Sequence, residues 1–227
     1  MRIQFVGQCC FYLTGDDGRR VLMDPFHRSC GLTRGEFPAD LVTFSHRHLD
    51  HYDAEAPRGA LVVEGPGEHE AAGLRIKGLQ AFHDQQEGLL RGQVTIFRLE
   101  MDGFAVVHLS DLGHSLNRYA RKELSPVDVL LFPAGGRVTL DPEEARSVVE
   151  FLQPRIAIPM AYHTPGLLIG TLNRDRVQRA YPVHTASRVL ELPRGTKLPN
   201  RTEIRFLDVL AQGPAEHVPL PLPGLAR

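Results

Sequence analysis

The sequence predicts an α/β fold, on three observations. Short apolar or alternating segments recur through the first 110 residues, a strand–helix–strand unit follows near the middle of the chain, and a dense cluster of metal-ligating side chains sits just past one of the early strands. The early segments are Ile3 to Phe5, Phe11 to Thr14, Arg20 to Met23, Leu41 to Ser45, Leu61 to Val63, Gly78 to Phe82, Val94 to Leu99 and Phe104 to Leu109. Their lengths and residue types are those of strands. GDDG at 15–18 lies between two of them, and Gly and Asp suit the positive φ angles of a tight hairpin.

Helices enter next. Asn117 to Leu124 can form a short one. Asp141-Pro142-Glu143-Glu144 is a helix start, with Asp as the N-cap, Pro in the first helical position and acids in the first turn. Ala145, Val148, Val149 and Leu152 then recur at helical spacing, flanked by the apolar runs Val129 to Phe132 and Ile156 to Met160. Strands of that kind are buried on both faces of a covered sheet.

A chain of 227 residues, 42% of them hydrophobic, can bury a full core, and no linker-like stretch divides it. One domain over residues 1–227 is expected, with an irregular tail from about 214, where Pro and Leu run together. A net charge of −1 provides no global basic field for nucleic acid or an anionic membrane. No apolar stretch approaches the roughly 18 residues of a membrane span, and the start lacks the pattern of a signal peptide, so a cytoplasmic protein is expected. Cys9, Cys10 and Cys30 are an odd count, which reads as free thiols. Cys9 and Cys10 read as small buried residues of a strand, with a functional role as the alternative.

The chemistry concentrates in DLVTFSHRHLDHYD. A strand delivers His46, His48, Asp50 and His51 within six positions, and imidazole and carboxylate are the ligands of a borderline divalent cation such as Zn²⁺. Spacing of this kind can aim ligands in two directions, enough for two ions.

SHRHLDH resembles the H-x-H-x-D-H signature of the metallo-β-lactamase superfamily. IQFVGQCCFYL with VLMDPF, VHLSDLGH, DVLLFPAGG, PEEA and IPMAYHT are similar to successive blocks of a bacterial subfamily that includes L-ascorbate-6-phosphate lactonases, over about residues 2–165. The resemblance implies a four-layer αββα sandwich with the site at one edge. It also implies that His46, His48 and His83 surround a first metal, that Asp50 and His51 serve a second, and that Asp111 bridges the two. Asp24, in MDPF, would orient ligating groups, and Asp50 would also accept a proton.

The chain departs from its relatives at three positions. Ala161 stands where they carry a histidine, Gln8 where they commonly carry another, and Ser110 where a glycine precedes the aspartate. His163 lies two residues past Ala161, on the same side if the segment is extended, and is expected to replace the missing ligand. His114, three residues past Asp111, is a candidate proton donor.

These features imply a metal-dependent hydrolase. One or two divalent ions, Zn²⁺ ahead of Mn²⁺ or Fe²⁺, would activate water against an ester, lactone or phosphodiester of a small substrate. Arg28, Arg34, Arg47, Arg91 and Arg118 fall on or near loops expected to face the site and point to an anionic one. A metal-dependent nuclease and a non-catalytic binding protein with a degenerate metal site are the alternatives. Partners are expected to be limited to the small molecule, without nucleic acid or membrane, and homo-oligomerisation is left open.

Overall fold

A computed structural model describes residues 1–55, 59–137 and 139–213; the tail expected to be irregular lies outside them. The chain runs β1 (Arg2–Gly7), β2 (Cys10–Thr14), β3 (Arg20–Met23), β4 (Leu41–Phe44), β5 (Leu61–Glu64), β6 (Gly67–Ala71), β7 (Leu74–Phe82), β8 (Gln93–Met101) and β9 (Phe104–His108). It continues as α1 (Arg118–Leu124), β10 (Val129–Pro133), α2 (Pro142–Leu152), β11 (Ile156–Met160), α3 (Arg174–Ala180), β12 (Thr185–Ser187), β13 (Leu190–Glu191) and β14 (Glu203–Leu207). One sheet has the order β13-β1-β2-β3-β4-β5 and the other β12-β14-β11-β10-β9-β8-β7-β6. Both are mixed.

Period-two alternation faces the sheets toward each other. Ile3 and Phe5 of β1 pair with Leu13 and Phe11 of β2, and all four enter the large core between the sheets. Val6 and Cys10 point the other way, into a smaller cluster with Leu22, Phe26, Leu32 and Val42. Cys9 belongs to the inner core and Cys10 to the outer one, so the adjacent cysteines face opposite sides of the sheet. All three thiols are free and buried.

The helices begin where the sequence places them. Asp141 caps α2 through Glu143 and Glu144 N–H, and the Glu144 carboxylate accepts the Asp141 N–H in return, a capping box. Asn117 caps α1. Helix α1 lies against the eight-stranded sheet, its Leu124 carbonyl accepting from Arg98 and its Glu123 pairing with Lys77, and α2 packs against β10 and α3. Outside the six-stranded sheet, the described residues supply a 3-10 turn, Arg28–Cys30, and loops in place of an α-helix. No helix among the described residues is long and apolar enough to cross a membrane.

Strands β6, β12, β13 and β14 and helix α3 have no counterpart in the sequence expectations. β6 reads GEHEA, with every residue at least partly exposed, so it carries no apolar alternation. It forms by pairing with the long β7, from Gly67↔Gly78 to Ala71↔Leu74.

Candidate metal centre

Strand ends deliver the site. β4 stops at Phe44 and releases Ser45 to His51, β7 stops before His83, β9 before Asp111, β3 before Asp24, and the β1–β2 connection contributes Gln8 and Cys9. β3 and β4 run parallel, as do β9, β10 and β11, so their C-terminal ends gather on one edge. Gly113 keeps His83 in place: a Cβ there would lie 2.4 Å from the His83 carbonyl carbon, while its N–H donates to Phe82 O at 3.0 Å.

Two clusters of donor atoms result. In the first, ring nitrogens of His46, His48 and His83 lie within 4.8 Å of one another, with His46 Nε2 and His48 Nδ1 3.1 Å apart. In the second, Cys9, His51 and Asp111 bring one donor atom each within the same span. Asp111 joins them: Oδ2 is 3.1 Å from His83 Nε2 and Oδ1 3.2 Å from His51 Nε2. A carboxylate with one oxygen toward each cluster is suited to bridging two cations. Asp50 lies on the other nitrogen of the same ring, Oδ1 3.3 Å from His51 Nδ1, and its Oδ2 accepts from Gln8 Nε2 at 2.9 Å.

The residues present fit a divalent metal. Both nitrogens of His51 and Nδ1 of His83 are buried without a hydrogen bond, which deeply buried polar atoms seldom are. Burial and its imidazole neighbours push His46 down to about 2, and burial likewise lowers His48, so these rings are neutral with lone pairs available. His51 behaves in the opposite way. Burial opposes its charge, but Asp111 and Asp50 outweigh burial and hold it well above the ordinary value; burial likewise opposes ionisation of Asp111, and His51 outweighs it to hold that carboxyl well below its own. A protonated His51 therefore occupies, electrostatically, the place of a cation.

Asp24 is fully buried and reaches His46 through a hydroxyl. Its Oδ1 accepts Ser45 N–H at 2.8 Å and its Oδ2 accepts Ser45 Oγ–H at 2.5 Å. With its own O–H donated to Asp24, Ser45 Oγ accepts from His46 Nδ1–H at 3.0 Å, which leaves the His46 Nε2 lone pair free on the side of His48. Ser110 Oγ donates to Ser45 Oγ at 2.5 Å and closes the network. The sequence reading includes Asp24 as a residue that orients ligating groups and marks Ser110 as a departure; the Ser45 hydroxyl that links both to His46 is absent from it.

Four residues here hold left-handed backbone without being glycine: Gln8 (φ 53°), Asp24 (φ 43°), Ser110 (φ 51°) and Ala161 (φ 57°). The conformation at Ser110 is one that glycine, the residue the resemblance leads one to expect there, adopts without strain.

Two sequence expectations are corrected. His163 does not join the cluster. The expectation assumed an extended segment, but the left-handed turn at Ala161 breaks the alternation. His163 N–H donates to Leu172 O at 2.8 Å, and its side chain lines a separate cavity with Thr164, Arg174 and Asp208. Ala161 itself remains at the site edge, buried, its N–H donating to Gln8 O at 2.8 Å. His114 is not poised as a proton donor, because its Nδ1–H is spent on Ser115 O at 2.8 Å while Nε2 accepts Phe82 N–H at 3.1 Å. Of the arginines, Arg34 is paired with Asp53 at 2.6 Å and Arg47 with Glu64 at 2.8 Å; Arg28 makes no ion pair among the described residues.

Comparison with known proteins identifies the family of the chain. Residues 2–161 match the profile of the beta-lactamase superfamily domain. A metal-dependent hydrolase of Thermococcus onnurineus is 29% identical over 193 residues, covering 72% of this chain and 85% of that protein. One from Methanospirillum hungatei is 30% identical over 190 residues, 72% of this chain and 84% of its own. A crystal structure described as a Zn-dependent hydrolase from Thermotoga maritima superposes with a TM-score of 0.75 at 31% identity, covering 92% of this chain and 98% of that one. The chain belongs to the metallo-β-lactamase superfamily and is a metal-dependent hydrolase of it.

Proposed function

We propose that the protein hydrolyses an ester, lactone or phosphodiester bond of a small anionic molecule at a two-part metal centre. The observation that carries this reading is Asp111, whose two oxygens each meet an imidazole of a different cluster, at 3.1 and 3.2 Å. A bound divalent ion supplies two things there, a lowered pKa for water and polarisation of the oxygen under attack. Zn²⁺ is the ion proposed, on imidazole, carboxylate and thiol donors.

The protein's own residues complete the work. Asp24 and Ser45 set the tautomer of His46, so its Nε2 faces the first cluster. Asp50 holds the Nδ1 side of His51 and is anchored by Gln8; being half-buried, it is also the carboxylate placed to receive a proton from attacking water. A cavity of about 640 Å³, lined by Phe26, His27, Arg28, Leu32, Phe37 and Asp53, adjoins the 46–53 turn, with His27 N–H donating to Leu49 O at 2.8 Å. That volume suits a small molecule, and Arg28 is a positive group in a lining that also holds Glu36 and Glu55.

The test is turnover of chromogenic esters, lactones and phosphodiesters by Zn²⁺-loaded protein, with and without chelator. One class is expected to be hydrolysed, and chelation to abolish it. Loaded protein that turns over none of them, yet binds one tightly, would support the non-catalytic reading instead, and salt-sensitive cleavage of RNA or DNA the nuclease.

A further inference from the structure

We infer that Cys9 is a protein ligand of the second metal, a thiolate replacing the imidazole that Ala161 lacks. The inference deepens the metal-hydrolase reading and rests on it. Cys9 is fully buried in the β1–β2 connection, and its Sγ lies 3.4 Å from Asp111 Oδ1, within 4.8 Å of the donor atoms of both His51 and Asp111. Two further observations point to an ion among these three groups. His51 is completely buried, with both ring nitrogens lacking hydrogen bonds, and its Nε2 turns toward the Asp111 oxygen that Cys9 also approaches. At the neighbouring position, residue 161 offers only a methyl group.

The donor set Cys9, His51 and Asp111 is one sulfur, one nitrogen and one oxygen. Binding breaks the Cys9 S–H bond, forms a sulfur–metal bond and releases the proton to solvent, without change of oxidation state. Sulfur also makes the second position selective. Thiolate suits Zn²⁺ and Co²⁺ and disfavours Mn²⁺, whereas the all-imidazole first cluster discriminates less. Cys10 serves as an internal control, being the same residue type one position on and facing the opposite core.

The experiment titrates Co²⁺ into metal-free full-length protein and follows near-ultraviolet absorption, where a thiolate bonded to Co²⁺ gives a charge-transfer band. Two equivalents are expected to bind, the band growing with only one of them. Cys9→Ala should lose the band and weaken that equivalent by 10-fold or more, while Cys10→Ser keeps both. Two equivalents bound to wild type without a sulfur band, or one equivalent without it, would overturn the role of Cys9 and leave the hydrolase reading standing. Absence of any bound Co²⁺ would instead overturn the metal centre as a whole. Because the wild-type band is itself decisive, a failure of Cys9→Ala to fold does not remove the test.

Discussion

The two halves of the centre are built from the same kind of side chain and held in opposite states. His46, His48 and His83 form a cluster whose first two members burial keeps neutral, and a serine relay aims one of them. His51 sits between two carboxylates that hold it protonated. The first half is prepared for a cation, while the second carries a proton that a cation must displace. The difference follows from the position of the carboxylates: Asp111 presents one oxygen to each half, but only the second half also contains Asp50.

Removing the first half should have the largest effect. The double substitution His46→Ala and His48→Ala deletes two of three imidazoles, so elemental analysis should show the first ion absent and hydrolysis should fall to background. Circular dichroism should stay native, because both side chains lie at a strand end outside the core. Full metal retention would mean that the site has been placed wrongly.

Severing the relay sharpens the comparison by touching one half alone. Asp24→Asn keeps the shape but weakens acceptance of the Ser45 hydroxyl proton, and loss of such a supporting contact typically costs 10- to 100-fold in metal affinity. First-ion affinity should fall by that factor in a chelator-competition titration, with the second unchanged. Equal loss at both positions would deny the separation.

The halves should also part with pH. His51 has a raised value, so the metal-free protein retains its proton at and above the ordinary value near 6.5, and loading must expel it. His46 is lowered to about 2 and has no proton to lose over that range. As pH falls from 8 to 6, second-ion affinity should therefore drop about tenfold per unit for each proton expelled, while first-ion affinity changes less. Isothermal titration in buffers of differing ionisation enthalpy counts those protons: one for His51 alone, two if Cys9 also ionises. Identical slopes for the two ions would contradict the contrast.

Restoring the family residue tests the weaker half from the other side. Ala161→His should raise second-ion affinity about tenfold or more, since it adds an imidazole at the site edge, as read by Co²⁺ titration. The smallest effect expected is that of His163→Ala, which should leave both stoichiometry and affinity unchanged. Loss of the second ion in that variant would return His163 to the centre.

What was legible in the sequence follows the range of the interactions. H-x-H-x-D-H is four candidate ligands within six residues on one turn, so local sequence displays it. His83 and Asp111 come from distant strands, and only their strand-end positions and the resemblance marked them. Cys9 was hidden because a buried cysteine ordinarily packs as a small apolar residue; only the partners around it distinguish it from Cys10. His163 was misplaced for a backbone reason, as nothing in an alanine announces a left-handed φ. The opening strands were readable because their residues are apolar toward two cores, whereas β6 depends on its partner.

The left-handed residues at positions 8, 24, 110 and 161 also bear on how the protein breathes. A Cβ-bearing residue in that conformation costs on the order of 1–2 kcal/mol, and all four are buried at the edge where the strand ends meet, Ala161 within the inner core itself. Without ions to tie the strand ends together, local opening should begin at this edge, and its backbone amides should exchange with solvent before those of β8, β9 and β10. Ion binding would then slow hydrogen exchange at the β1–β2 connection, around Ser110 and around Ala161 together, joining three distant stretches of chain into one cooperative unit.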